Sequence, residues 1–172
     1  MRRVKLFIAT SLDGFIARAD GAVDWLYTDG DFGMREFFAS VDTALIGRKT
    51  HDQMVAWGHP AYAGMENYVF SRTRRADDGV PVRYVSADIE EFVGQLRRKP
   101  GKDLWLVGGG DLIAEFRERE LIDDVILSIH PVLLGEGIPL FPGRHEPLNL
   151  ELTRCAEYER GLVQLWYQRV RR

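Results

Sequence analysis

A chain of 172 residues with 45% hydrophobic and 28% charged side chains suits one domain with a substantial core, and at this length roughly 70% of the unfolded surface can be buried. The formal charge of −3 gives no basic footprint for nucleic acid. A single cysteine excludes an internal disulfide and points to a reducing, cytoplasmic setting, and Lys5 and Asp13 break the apolar start too early for a signal peptide or a membrane span.

Val4 to Thr10 reads as a strand, apolar enough to lie centrally in a sheet. Ser11-Leu12-Asp13-Gly14 has turn chemistry, and the stretch from Asp13 to Leu26 is expected to cross the end of that strand. Phe15, Ile16 and Trp25 are its exposed apolar groups, suited to the wall of a ligand site. Phe32, Phe37 and Phe38 predict a helix from Asp31 to Ser40, with Asp29 or Asp31 at its amino end. Val41 to Ile46 is a second strand, and Gly47-Arg48-Lys49-Thr50 opens a helix that bears Met54 and ends near Trp57. This junction is no P-loop, because Asp42 stands where the first glycine belongs. Two cations at a helix amino end oppose its dipole, which favours a bound phosphate there.

Asn67 to Phe70 is a third strand running into Ser71-Arg72-Thr73-Arg74-Arg75, whose arginines and hydroxyls suit a dianionic phosphate. Asp77-Asp78-Gly79 turns into a short strand from Val82 to Val85. Asp88 then caps a helix to about Arg98, with Ile89, Phe92, Val93 and Leu96 inward. Leu104 to Val107 has the unbroken apolar pattern of a buried strand, followed by Gly108-Gly109-Gly110 and a helix carrying Leu112, Ile113 and Phe116. Glycine lets a ligand approach the main chain, and the helix start presents unpaired N–H groups, so a pyrophosphate fits here. The dinucleotide fingerprint G-x-G-x-x-G fails at Ile113.

Val125 to Ile129 is another strand, closed by His130-Pro131, and a glycine- and proline-punctuated apolar loop runs from Val132 to Pro142. Leu150–Tyr158 and Leu162–Val170 form an antiparallel hairpin about Glu159-Arg160-Gly161, with Cys155 read as a packing residue. Alternating strands and helices with a terminal hairpin predict an α/β domain over residues 1–172, its sheet mostly parallel with an antiparallel end. His51, His59, His130 and His145 show no metal-ligand spacing with one another or with Cys155, so no metal is assigned.

Five motifs occur in order: Ser11-Leu12-Asp13-Gly14, Gly47-Arg48-Lys49-Thr50, Val69-Phe70-Ser71-Arg72, Val107-Gly108-Gly109-Gly110, and Leu134-Gly135-Glu136-Gly137-Ile138-Pro139-Leu140-Phe141. Together they resemble the dihydrofolate reductase superfamily, and within it the reductase domain of riboflavin biosynthesis, the RibD C-terminal type. The resemblance implies a three-layer fold: a mixed, mostly parallel sheet of about eight strands with helices on both faces. It also implies an NADPH-dependent reductase. Gly47, Arg48, Lys49 and Thr50 match the junction against the adenine-side phosphates, and Ser71 and Arg72 the site for the 2′-phosphate. Gly108, Gly109 and Gly110 match the turn under the pyrophosphate, while Ala9, Phe15 and Ile16 match the strand end and loop beside the nicotinamide. A homodimer is implied as well, for which the apolar loop from Val132 to Phe141 is available.

On the substrate side the resemblance transfers less. Riboflavin-pathway reductases continue the first motif as Asp-Gly-Lys, whereas Phe15 stands here, and no deaminase domain accompanies this sequence. Counting back from Gly47 favours Asp31 as the acid that serves the substrate, and helical position favours Glu36. Either, enclosed by Trp25, Phe32 and Phe15, is expected to have the raised pKa of a proton donor. Asp13 is a third candidate, and His59, beside Gly58 and Pro60, a candidate substrate contact. The resulting expectation is hydride transfer from NADPH to a C=N or C=O carbon of a small heterocycle, pteridine- or pyrimidine-like. The alternatives are 5-amino-6-(5-phosphoribosylamino)uracil reductase activity or a nucleotide-binding module without chemistry. No membrane or nucleic-acid partner is expected.

Overall fold

The computed structural model describes residues 1–73, 81–144 and 146–170. The strands are β1 (Val4–Ser11), β2 (Phe15–Ala17), β3 (Val41–Gly47), β4 (Glu66–Phe70), β5 (Arg83–Val85), β6 (Asp103–Gly108), β7 (Asp124–His130), β8 (Ile138–Pro139), β9 (Leu150–Glu157) and β10 (Val163–Arg169). The helices are α1 (Met34–Ser40), α2 (Arg48–Ala56), α3 (Ile89–Arg98) and α4 (Gly110–Glu118). Eight strands form one sheet in the order β5-β4-β3-β6-β1-β7-β10-β9, and β2 pairs with β8 outside it. The pairs from β5 through β7 are parallel, and β10 runs antiparallel to both β7 and β9.

The central strands are apolar on both faces because both faces are covered. Val4, Leu6, Leu45, Leu104 and Leu106 pack with Val93 and Leu96 of α3 and Ile113 and Phe116 of α4. Phe7, Ala44, Ile46 and Trp105 pack on the other face with Phe37 of α1 and Met54 of α2. Alternation along each strand thus supplies two cores from one sheet, the three-layer arrangement of the dihydrofolate reductase fold. At the amino ends of β1 and β7 the chain is closed by ion pairs: Arg3 holds Asp124 at 2.6 Å, and Arg97 of α3 holds the buried Asp123 at 2.7 Å. Ligands of parallel sheets bind at the opposite ends of the strands, and that is where the glycine motifs lie.

Three features depart from the sequence reading. The first helix begins at Met34 rather than Asp31, because Phe32 and Gly33 both take left-handed backbone angles, φ 43° and 77°. A Cβ at Gly33 would lie 2.7 Å from the Tyr158 hydroxyl and 3.0 Å from Gln164 Oε1, so only glycine fits this entry. Trp25, expected exposed, is buried. Cys155, expected to pack, is an exposed thiol, because β9 is an edge strand with nearly every residue exposed.

Candidate active site

β3 and β6 are neighbours, so the helix starts that follow them meet. Gly47 precedes α2 and Gly109 precedes α4, and neither helix has a side-chain cap. By contrast, Asp88 caps α3 by accepting from Glu91 N. The two glycine junctions touch: a Cβ on Gly47 would lie 3.1 Å from Gly108 O and 3.3 Å from Gly109 N, and one on Gly109 would lie 3.0 Å from Thr50 Oγ1. A Cβ on Gly110 would approach Pro139 O at 3.1 Å. The main chain is therefore bare where two helix dipoles converge, and first-turn N–H groups are left for an anion.

The cations at this corner are arranged differently from the sequence expectation. Arg48 pairs with Asp52 at 2.7 Å, and Lys49 crosses to Asp111 in the first turn of α4 at 2.9 Å. The repulsion between this basic pair and the dipole is thus answered within the protein, so it is no argument for a phosphate. At the end of β4, Ser71 is buried and its hydroxyl donates to Thr73 O at 2.8 Å, while Arg72 is exposed with no carboxylate partner among the described residues. Arg74, Arg75 and the Asp77-Asp78-Gly79 turn lie outside the described residues, as does His145.

Ala9 lies in β1 beside Ser128 of β7, and Phe15 and Ile16 form β2. β2 is locked to the 132–140 loop in several ways. Phe15 pairs with Pro139, Leu140 N donates to Gly14 O, and Gly137 accommodates Ala17 O only 2.3 Å from where its own Cβ would lie. Asp13 completes this clamp by accepting from Ser11 Oγ and from the backbone N–H groups of Leu134 and Gly135. Those donors hold its carboxyl at a pKa of about 2, the Ser11 hydroxyl contributing most. Such a group is ionised at neutral pH and does not deliver a proton. The apolar loop thus packs on its own chain, with Leu140 buried and Leu133 and Phe141 exposed.

The other wall is aromatic. Rings of Trp25 and Tyr27 lie 5.2 and 4.9 Å from that of His130, Phe32 lies 5.9 Å from Tyr27, and Tyr158 lies 6.1 Å from Phe32. His130 accepts from Tyr27 N through Nε2 and donates through Nδ1 to Ser128 O, a consistent neutral tautomer, and desolvation lowers its pKa. Gln164, only 1% exposed, donates to Phe32 O at 2.9 Å and to Ser128 Oγ at 2.6 Å and accepts from Tyr158. This buried amide fixes the left-handed turn ahead of α1. Sequence reading missed both Gln164 and His130, since a lone polar residue in a strand carries no motif.

The two acids near α1 are not enclosed by this wall. Asp31 accepts from Arg35 N and its side chain is 50% exposed, while Glu36 is 70% exposed and holds Arg154 at 2.9 and 3.2 Å. His59 is exposed on the loop after α2. Trp25 and Phe32 are brought together through Tyr27 and His130, and the glycine motifs are brought together at the β3–β6 corner. Among the described residues, no group of three His, Cys, Asp or Glu side chains is placed to hold a metal ion.

The model of the RibD C-terminal domain matches residues 2–164. The chain belongs to that family. It is 38% identical to the uncharacterised protein YyaP of Bacillus subtilis (strain 168), covering 96% of this chain and 94% of that one. A crystal structure from Shewanella sp. PV-4, provisionally named a riboflavin biosynthesis protein, superposes with a TM-score of 0.89 at 29% identity, covering 98% and 99% of the two chains. Dihydrofolate reductase from Enterococcus faecalis, complexed with NADP(H), shares the fold with a TM-score of 0.71 at 15% identity, covering 97% of this chain and 96% of that one.

Proposed function

We propose that this protein is an NADPH-dependent reductase that transfers a hydride to a C=N or C=O carbon of a small heterocycle. The observation that carries the reading is the meeting of two uncapped, glycine-started helices at the carboxyl ends of β3 and β6. Membership of a reductase-domain family, and the likeness to a dihydrofolate reductase complexed with NADP(H), support it. Gly108, Gly109 and Gly110 hold the pyrophosphate against the α4 amino end, and Gly47 to Thr50 approach the adenine-side phosphates. Ser71 and Arg72 take the 2′-phosphate, and Ala9, Phe15 and Ile16 border the nicotinamide.

When bound, the cofactor supplies the hydride; the protein supplies placement and exclusion of water. The β2–β8 clamp fixes the nicotinamide border, and the half-buried Tyr27 and Phe32, braced by the buried Trp25 and His130 rings, border the substrate. Asp31 or Glu36, or a water bound to one of them, delivers the proton that balances the hydride. We assign a cytoplasmic homodimer, consistent with the exposed Leu150 and Leu152 on edge strand β9.

The test is a titration of the protein with NADPH and NADH, following quenching of its four tryptophans. NADPH should bind more tightly, and Arg72→Ala should remove that preference by lowering NADPH affinity about tenfold or more while leaving NADH unchanged. Equal weak binding of both would overturn the reading.

A further inference from the structure

The segments that build the aromatic wall, residues 18–36 and 154–160, carry four arginines and seven carboxylates, a local excess of three negative charges. Each of the four arginines already has a carboxylate partner. Arg160 lies over the Tyr27 ring, its guanidinium carbon 3.8 Å from the centroid, and holds both oxygens of Asp29 at 2.7 Å. Arg154 holds Glu36, Arg35 lies 3.7 Å from Asp31, and Arg18 holds Asp24 at 2.6 and 3.0 Å. Across the site Arg72 has no such partner among the described residues.

A phosphate is recognised by donors in a forked geometry, worth most when the cation has no competing anion. Arg160, which stacks on the wall itself, would have to surrender a bidentate carboxylate to accept one. The position after Asp13-Gly14 offers no substitute, since Phe15 is there and its backbone is paired with Pro139. Glu157 and Glu159 of the same segments, with no ion-pair partner among the described residues, add a field that repels anions.

Building on the reductase reading, we infer that the substrate is a planar heterocycle carrying no phosphate, neutral or cationic, held against the half-buried Tyr27 and Phe32 rings beside arginines already paired with carboxylates. Within the candidate site, the cation left without a carboxylate partner among the described residues, Arg72, lies in the cofactor half. Selectivity on the substrate half comes from ring contact and from repulsion of anions.

The experiment compares two probes that differ only in one group: 5-amino-6-ribosylaminouracil and its 5′-phosphate. Binding is followed by tryptophan quenching, with and without NADPH, and turnover by NADPH oxidation. The phosphate-free compound should bind at least about tenfold more tightly, and added salt should narrow the difference. Asp29→Asn, which releases Arg160, should tighten the phosphorylated probe about threefold to tenfold and leave the phosphate-free one unchanged. Equal or tighter binding of the phosphorylated probe to the unaltered protein overturns the inference, and so does binding of neither. Selective binding of the phosphate-free probe without any NADPH binding leaves the substrate class standing and removes the reductase reading.

Discussion

The two halves of the candidate site handle charge in opposite ways. At the β3–β6 corner the protein withholds side chains: two helix starts have glycine in place of a cap, and Arg72 has no partner among the described residues. At the aromatic wall it spends them: each arginine of the flanking segments meets a carboxylate, and Gln164 uses both its donor and its acceptor within the fold. The corner thus leaves backbone donors unused, whereas at the wall the arginines and Gln164 are already engaged within the fold. α3 supplies the internal control, since its amino end is closed by Asp88 and none of the expected cofactor contacts falls there.

Breaking the bare corner should have the largest effect. Gly109→Ala places a methyl group 3.0 Å from Thr50 Oγ1, where the main chain must be approached closely. NADPH affinity should fall by about 100-fold, equivalent to about 2.7 kcal/mol, with the circular dichroism spectrum retained. A Gly109→Ala protein that binds NADPH as before would place the pyrophosphate elsewhere.

Breaking the satisfied wall should register as stability first. Gln164→Leu leaves Phe32 O and the Tyr158 hydroxyl without their partner in a buried setting, at a cost of about 2–3 kcal/mol. For a chain of this size that is a fall in Tm of roughly 4–12 °C. NADPH affinity should be unaffected, because the hydrogen bonds of Gln164 go to Phe32, Ser128 and Tyr158 and none goes to the corner. A Tm unchanged within error would mean that the amide does not hold the turn before α1.

The pH dependence separates two smaller contributions. The His130 pKa is depressed by burial, so the native state favours the neutral ring. Its stabilising effect is complete above the ordinary value near 6.5 and is lost as pH falls through that value toward the depressed one. Urea midpoints should therefore decline from pH 7.5 to 5.5 by more in the unaltered protein than in His130→Gln. Asp13 acts in a lower window: its carboxylate stabilises the β2–β8 clamp above the ordinary value of 3.8, and the effect is lost as pH falls toward about 2. Asp13→Asn should flatten only that acid limb. The smallest effect belongs to Lys49→Met. Its pair with Asp111 is largely exposed, so stability should change by less than about 1 kcal/mol in either direction.

Much of the architecture was legible in the chain because it depends on local pattern. The mostly apolar stretch from Val4, the unbroken apolar run at Leu104, the cap at Asp88 and the turn at Glu159-Arg160-Gly161 each specify an element from neighbouring residues, and each is found. The order of five short motifs was enough to identify the family. Most of the misreadings concern contacts between distant residues, the pair of Arg48 with Asp52 in the same helix being the local exception. The helix expected at Asp31 starts at Met34 because Gln164, 132 positions from Phe32, holds the left-handed turn. Lys49 is unopposed in the sequence, and the fold brings Asp111 to it. Cys155 sits in a strand-like run and reads as a packing residue, and only its place at the sheet edge exposes it.

The sequence by itself therefore determined the secondary structure, the sheet type and the glycine positions, all set by steric preference and periodicity over a few residues. Only the tertiary structure decided which charges are neutralised, which polar groups are satisfied and which rings converge. Those properties depend on pairs far apart in the chain, and electrostatic and hydrogen-bond energies are fixed by distance in space rather than by separation in sequence.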